Sequence, residues 1–178
     1  MDTRGETTRM LSAMVERRLS RSVMLWSREV VLDGGTDRMR RVDYVGFSPY
    51  RDGYRACAAS LELGVFEFYE VKSCLDDLRS GHGLTFRGDR NYLVSTRELA
   101  DWLRDHNISP GCDAVLAPTR DGSRLVEAYR PIGGGQRDRT AAELLMCVLD
   151  GTCPHLRKEP CLIVSVVYSA LYFSPNAS

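Results

Sequence analysis

Residues 64–72, GVFEFYEVK, limit the fold more than any other part of the chain. β-branched and aromatic residues dominate the segment, so it reads as a strand. Side chains alternate along a strand, and residues two apart share a face. Glu70 and Lys72 therefore point the same way, beside Phe66 and Phe68. A carboxylate in such a strand is costly to bury unless it is paired or holds a metal ion.

The preceding strand reads as Arg40 to Phe47, RRVDYVGF, with Val42, Tyr44 and Gly46 on one face. Neighbouring strands lie about 4.8 Å apart, so Asp43 and Glu70 can converge on one cation. Hard divalent ions such as Mg²⁺ take oxygen ligands and keep several waters. Water on such an ion is more acidic than bulk water, and beside a Lys ammonium it is placed to attack phosphorus. Asp43, Glu70 and Lys72 together supply what metal-assisted phosphodiester hydrolysis needs. The same E-x-K spacing also suits a plain surface salt bridge, worth under about 1 kcal/mol.

The other segments build a domain around this pair of strands. Residues 5–20 read as a helix, because Leu11, Met14, Val15 and Leu19 recur at helical spacing. Residues 22–32 read as one strand or two short ones, closed by the turn Asp33-Gly34-Gly35. Ser48 to Gly53 reads as a loop, and residues 54–61 fit either helix or strand. A polar, Gly-containing stretch covers Ser73 to Asp89, with a helical turn at Leu75 to Arg79. Asn91 to Val94 reads as a short buried strand. Ser95 or Thr96 caps a helix running to about His106, with Leu99, Trp102 and Leu103 facing the core. Ala114–Ala117 and Leu125–Ala128 pair around Asp121-Gly122 as a hairpin. Gly133-Gly134-Gly135 reads as a flexible hinge, and Thr140 to Leu149 as a helix. This order predicts a single α/β domain with a mixed sheet flanked by helices, which suits 178 residues that are 43% hydrophobic. From about residue 134 to 178 the chain reads as a helical and apolar extension.

The motifs go further than the pattern. Asp43 stands in RVDYV, Glu70-Val71-Lys72 follows, then Ser73 to Gly83 (SCLDDLRSGHG) and Gly88 to Val94 (GDRNYLV). In this order they resemble the PD-(D/E)XK nuclease superfamily. More narrowly, they are similar to its small branch of MmcB-like DNA repair proteins from phages and mobile elements. The resemblance covers roughly residues 8–130. It implies a restriction-endonuclease-like core and Mg²⁺- or Mn²⁺-dependent hydrolysis of DNA. Asp43 and Glu70 are implied as metal ligands, with Lys72 positioning the attacking water. Many superfamily members add a Glu from the first helix. Glu16, beside the apolar face of that helix, is the candidate here, with Glu6 as its competitor. The chain departs from the pattern in its long segment between Asp43 and Glu70, and in Val42, which stands where the motif's name has Pro.

Charge gives weaker guidance. The formal net charge is zero, so no overall field draws the protein to nucleic acid or membrane. Arg residues cluster at 17, 18 and 21, at 38, 40 and 41, and at 137 and 139. Such clusters suit phosphate or simply make solvated faces. Arg41, Arg79, Arg87 and Arg90 are candidate contacts to a nucleic-acid backbone, which position a substrate without reading its sequence. His82 is placed to touch the scissile phosphate or donate a proton, or else to be a locally bonded loop residue. Asp89 and Asn91 are candidates to fix the loop against the site.

Six Cys stand at 57, 74, 112, 147, 153 and 161. The N-terminus has no apolar run of the kind a secretory signal needs. The expectation is a reducing cytoplasm with mostly buried thiols. Cys147, Cys153, His155 and Cys161 are residue types that bind zinc, but their spacing matches no common finger. The most apolar stretch, Leu162 to Val167, is too short to cross a bilayer. The tail reads as a core element or a dimer surface, and a small nuclease that cuts both strands often dimerises.

Three function classes follow. The first is a nuclease acting on DNA in repair, recombination or mobile-element biology. The second is a catalytically inactive nuclease-fold module that binds nucleic acid or inhibits a partner protein. The third is a scaffold whose charges are only surface, with no affinity for metal. The presence of all three motif positions favours the first.

Overall fold

A computed structural model describes residues 3–50 and 57–151. The chain runs α1 (Thr3–Ser22), β1 (Leu25–Leu32), β2 (Arg40–Ser48), α2 (Ala58–Glu62), β3 (Val65–Lys72), α3 (Leu75–Arg79), β4 (Arg90–Ser95), α4 (Arg97–Asp105), β5 (Ala114–Pro118), β6 (Leu125–Tyr129) and α5 (Ala141–Asp150). The six strands form one sheet in chain order. β1, β2 and β3 are antiparallel neighbours, β3, β4 and β5 run parallel, and β6 returns antiparallel. The protein is therefore an α/β domain with a mixed sheet flanked by helices.

α1 covers one face. Leu11, Met14, Val15 and Leu19 are buried there against Tyr44, Tyr69, Val71 and Val94. α5 covers the other. Its N-terminus is closed by a reciprocal cap, in which the Thr140 hydroxyl accepts from the Glu143 amide and the Glu143 carboxylate accepts from the Thr140 amide. Leu144, Leu145 and Val148 of α5 then pack on Phe47, Phe66 and Phe68. α4 shares this second face further along the sheet. Thr96 caps it, and Leu99, Ala100 and Leu103 pack against Leu93 and Val115. Trp102 flanks this cluster half-buried, stacked on His106.

β3 is buried from Phe66 through Lys72. Phe66 and Phe68 serve the α5 side, Tyr69 and Val71 the α1 side. A strand covered on both faces reads as a near-continuous apolar run. Here that run carries Glu67, Glu70 and Lys72 into the interior.

Some expectations change. The ambiguous segment before β3 supplies the short α2, while residues 51–56 lie outside the described part. The expected glycine hinge is a docked strap. A Cβ on Gly134 would meet the Asp113 carboxylate and one on Gly135 the Phe86 carbonyl. Asn91 Nδ2 also donates to the Gly135 carbonyl at 3.0 Å. Among the described cysteines only Cys112 is buried, and Cys57 is exposed. Cys153, His155, Cys161 and the apolar tail lie outside the described residues. Among the described residues, no helix is long and apolar enough to cross a membrane.

Candidate active site

Tyr44 pairs with Tyr69 and Val45 with Phe68 across β2 and β3, so the next step of the ladder sets Asp43 opposite Glu70. The alternation of β2 breaks at that step. Val42 packs with Val45 and Phe47, whereas Tyr44 belongs to the opposite cluster. Val42, Tyr44 and Gly46 therefore do not share one face as their spacing suggested. β1 breaks at the same level. Trp26 and Val30 fall in opposite clusters, and Glu29 between them has φ 54°. Glu29 and Asp43 are the missing step between the pairs Arg28–Tyr44 and Val30–Val42. Local kinks of this sort re-aim side chains. Asp43 turns toward β3, where its Oδ2 accepts from the Val71 amide at 2.8 Å.

Glu70 is fully buried. Its Oε1 accepts from the Thr85 amide at 3.1 Å, and its buried Oε2 receives no N–H or O–H donor, the Asp43 carboxylate being the side-chain oxygen group beside Glu70. Burial first, and then the Asp43 carboxylate, push the Glu70 carboxyl up to about 9, against the pull of the Thr85 amide and Lys72. Burial also raises Asp43, opposed by the Val71 amide and Lys72. The loop after α3 closes over this pair. A Cβ on Gly83 would lie 3.1 Å from Glu70 Oε2 and 3.6 Å from Lys72 Nζ. Gly83 also has φ +66°, a conformation that suits glycine.

Lys72 is buried on the same face as Glu70. Its Nζ donates to the His82 carbonyl at 2.6 Å and lies 3.7 Å from Asp77 Oδ1. Asp77 pairs in turn with Arg4 at 3.1 Å, which ties the start of α1 to the site.

An open cleft of about 550 Å³ reaches Asp43 from the α1 side, with Arg9, Ser12, Glu16, Arg28 and Tyr44 in its walls. Glu16 Oε1 accepts from the Tyr44 hydroxyl at 3.1 Å and lies 3.8 Å from Arg28. Burial pushes the Tyr44 hydroxyl up to about 12, with Glu16 adding to the rise. Glu16 and Asp43 thus share one cleft, while Glu6 is exposed outside its walls.

The structure separates the other candidates. Arg41 is exposed and acts electrostatically on Asp43. The His82 carbonyl, not its exposed ring, meets Lys72. The Arg79 guanidinium sits 5.8 Å from the Trp102 ring centroid. Arg87 pairs with Asp33 and Asp138, and Arg90 pairs with Glu67 at 3.3 Å. Glu67 points to the α1 side, where Tyr69 donates to it at 2.7 Å, so Arg90 stands away from Glu70. Asp89 and Asn91 do fix the loop, but at the far end of β3. Asp89 accepts from the Phe66 amide, and Asn91 bonds both the amide and the carbonyl of Gly88.

Thr85 and Tyr44 join the site without having been given a role from the sequence, whereas Asp77 and Gly83 are positions of the Ser73 to Gly83 motif whose roles only the structure supplies. Gly83 left the clearest trace, in the paired glycines of SGHG. The donor set fits a hard divalent ion. Two carboxylates face one another, one keeps a buried oxygen that receives no donor, and Mg²⁺ uses only one or two carboxylates beside its waters. Among the described residues no cluster of three or more His, Cys, Asp or Glu is placed to hold a metal, so an ion here would depend on water for its remaining ligands. Compared with known proteins, the chain matches no protein-family model, no curated protein and no solved structure.

Proposed function

We propose that this protein is a metal-dependent nuclease with a restriction-endonuclease-like core, hydrolysing phosphodiester bonds in DNA. The observation that carries the reading is the meeting of Asp43 and Glu70 across β2 and β3. Lys72 lies one pleat further on, and Glu70 Oε2 is buried without an N–H or O–H donor. Burial beside Asp43 makes the ionised form of Glu70 costly and keeps its proton on, and a cation shared with Asp43 would replace that proton. Choice of DNA, and a role in repair or mobile-element biology, rest on the motif resemblance.

Asp43 and Glu70 would hold Mg²⁺ or Mn²⁺, which when bound supplies Lewis acidity for the hydrolysis. Asp43 is the carboxylate that reaches the open cleft, so the scissile phosphate enters there. Lys72 has three N–H donors, of which His82 takes one. The remainder serve to orient water or stabilise charge on the phosphate. Glu16, held by Tyr44 and Arg28, stands in the same cleft to orient a second ligand or water. The inactive-module alternative draws on one specific observation, the sealing of Glu70 beneath Gly83. A cleavage assay decides between the two. Wild-type protein cutting DNA with Mg²⁺ or Mn²⁺, and Asp43→Ala failing to, supports the nuclease. Cation binding without cleavage of any DNA form supports the inactive module.

A further inference from the structure

Thr7 and Thr8 are neighbours on α1, and a separate cleft opens on each side of them. Thr8 lines the Asp43 cleft. Thr7 lines a second cleft of about 470 Å³, walled by Met10, Thr96, Arg97, Pro118 and Arg120 among others. Thr96 follows the end of β4, and Pro118 ends β5. β3, which ends at Lys72, runs parallel to both. The second cleft and the Glu70–Lys72 site therefore lie at the same edge of the sheet. Ligands of open parallel sheets bind outside the carboxyl ends of the strands.

The charges around the second cleft are unspent. Arg120 is exposed. Arg97 donates to the Pro118 carbonyl at 3.0 Å, and Arg17, on the same flank of α1, donates to the Ser123 carbonyl at 3.2 Å. None of the three has a carboxylate within ion-pair distance among the described residues. Arg87, Arg90, Arg104, Arg130, Arg137 and Arg139 each do. Glu98 is the one acidic residue in the cleft's walls. Asp121 nearby is occupied by Thr119 and Ser123. Other arginines, among them Arg9 in the Asp43 cleft and Arg40 and Arg41 on β2, also lack an ion pair among the described residues, but Arg97 and Arg120 stand in the walls of this groove at the carboxyl ends of β4 and β5.

We propose that this second cleft binds the phosphate backbone of the nucleic-acid strand being cut, with Arg97 and Arg120 as phosphate contacts and Arg17 along the strand's path. The proposal rests on the nuclease reading. A helix with its side chains is about 10–12 Å across. A strand advancing about 3.4 Å per nucleotide needs about three nucleotides to cross it. The second cleft therefore engages the strand a few nucleotides from the scissile bond. Guanidinium forks suit this contact, and it carries no base sequence.

The test is binding of a labelled oligonucleotide long enough to cross α1, followed by anisotropy. An Asp43→Asn background prevents cleavage. Arg120→Ala is the informative variant, because Arg120 is exposed and supports no other residue. It is expected to weaken binding about five-fold or more and to lower the slope of log affinity against log salt by about 0.7–0.9. A dinucleotide, too short to cross α1 to the second cleft, is expected to bind both proteins alike. Arg104→Ala, whose charge is already met by Asp101 and Asp105, is the control and leaves both quantities unchanged. Unaltered affinity and salt slope in Arg120→Ala, with wild type still cutting nucleic acid, overturns the second cleft alone. Wild type that neither binds nor cuts nucleic acid overturns the nuclease reading and this inference with it.

Discussion

Replacing Glu70 by Gln tests the buried carboxyl directly. The amide keeps the shape, its oxygen can accept from the Thr85 amide as Glu70 Oε1 does, and its NH₂ can face Asp43. What it removes is a proton-linked penalty. In the folded chain Glu70 holds its proton up to about pH 9, whereas its ordinary value is 4.5. Between those limits the folded state binds a proton that the unfolded state has released. Stability therefore falls as pH rises through this window, by about 1.4 kcal/mol per unit. At pH 7 the accumulated penalty is ~3 kcal/mol, which is a large share of a small domain's stability of about 5–15 kcal/mol. The assay is urea unfolding of wild type and Glu70→Gln, free of divalent cations, from acid to mildly alkaline pH. Other titrating groups are common to both proteins and largely cancel in the difference. The two should be nearly equal near pH 4, and Glu70→Gln should be the more stable by ~3 kcal/mol at pH 7. A difference that does not change with pH would refute the reasoning, because it would mean that Glu70 ionises normally in the fold.

Other perturbations have separable outcomes. Lys72→Ala should retain cation binding yet lose about 100-fold or more in cleavage rate at saturating DNA, the scale of removing one preorganised charge stabiliser; a rate within a few-fold of wild type contradicts the role given to Lys72. Gly83→Ala should cost about 1–3 kcal/mol and weaken cation binding, because its Cβ would press on Glu70 Oε2 at 3.1 Å. Gly81→Ala shares the positive φ but meets nothing within 4 Å, so it should spare cation binding; calorimetry on the two variants separates crowding from backbone strain. Thr140→Ala, which removes the hydroxyl half of the α5 cap and leaves the residue-140 amide to the Glu143 carboxylate, should lower stability by about 1 kcal/mol in denaturant unfolding and leave cleavage unchanged.

The parts of this account that were legible in the sequence are those fixed by periodicity. α1, α4 and α5 follow from apolar spacing and from the Thr96 and Thr140 caps. β2 and β3 follow from β-branched and aromatic runs, whereas the register that brings Asp43 to Glu70 is seen only in the pairing of Tyr44 with Tyr69. The remainder depends on contacts between distant segments. The break in alternation at Asp43 relies on Glu29 adopting φ 54°, and Glu carries no composition signal for that. The strap at Gly133–Gly135 looked like a hinge because glycine serves both freedom and close approach. Only its contacts with Asp113, Phe86 and Asn91 show which applies. Arg87 and Arg90 looked available because their partners, Asp33, Asp138 and Glu67, come from segments far away along the chain.

The central claim is that Asp43 and Glu70 share one divalent cation. Calorimetric titration of wild type with Mg²⁺ or Mn²⁺ at neutral pH, in buffers of different ionisation enthalpy, tests it most directly. Saturable binding of one ion is expected, with release of about one proton as Glu70 gives up the proton that burial and Asp43 hold on it, and with loss of that binding in Asp43→Asn. No binding by wild type, or binding that Asp43→Asn leaves intact, would contradict it.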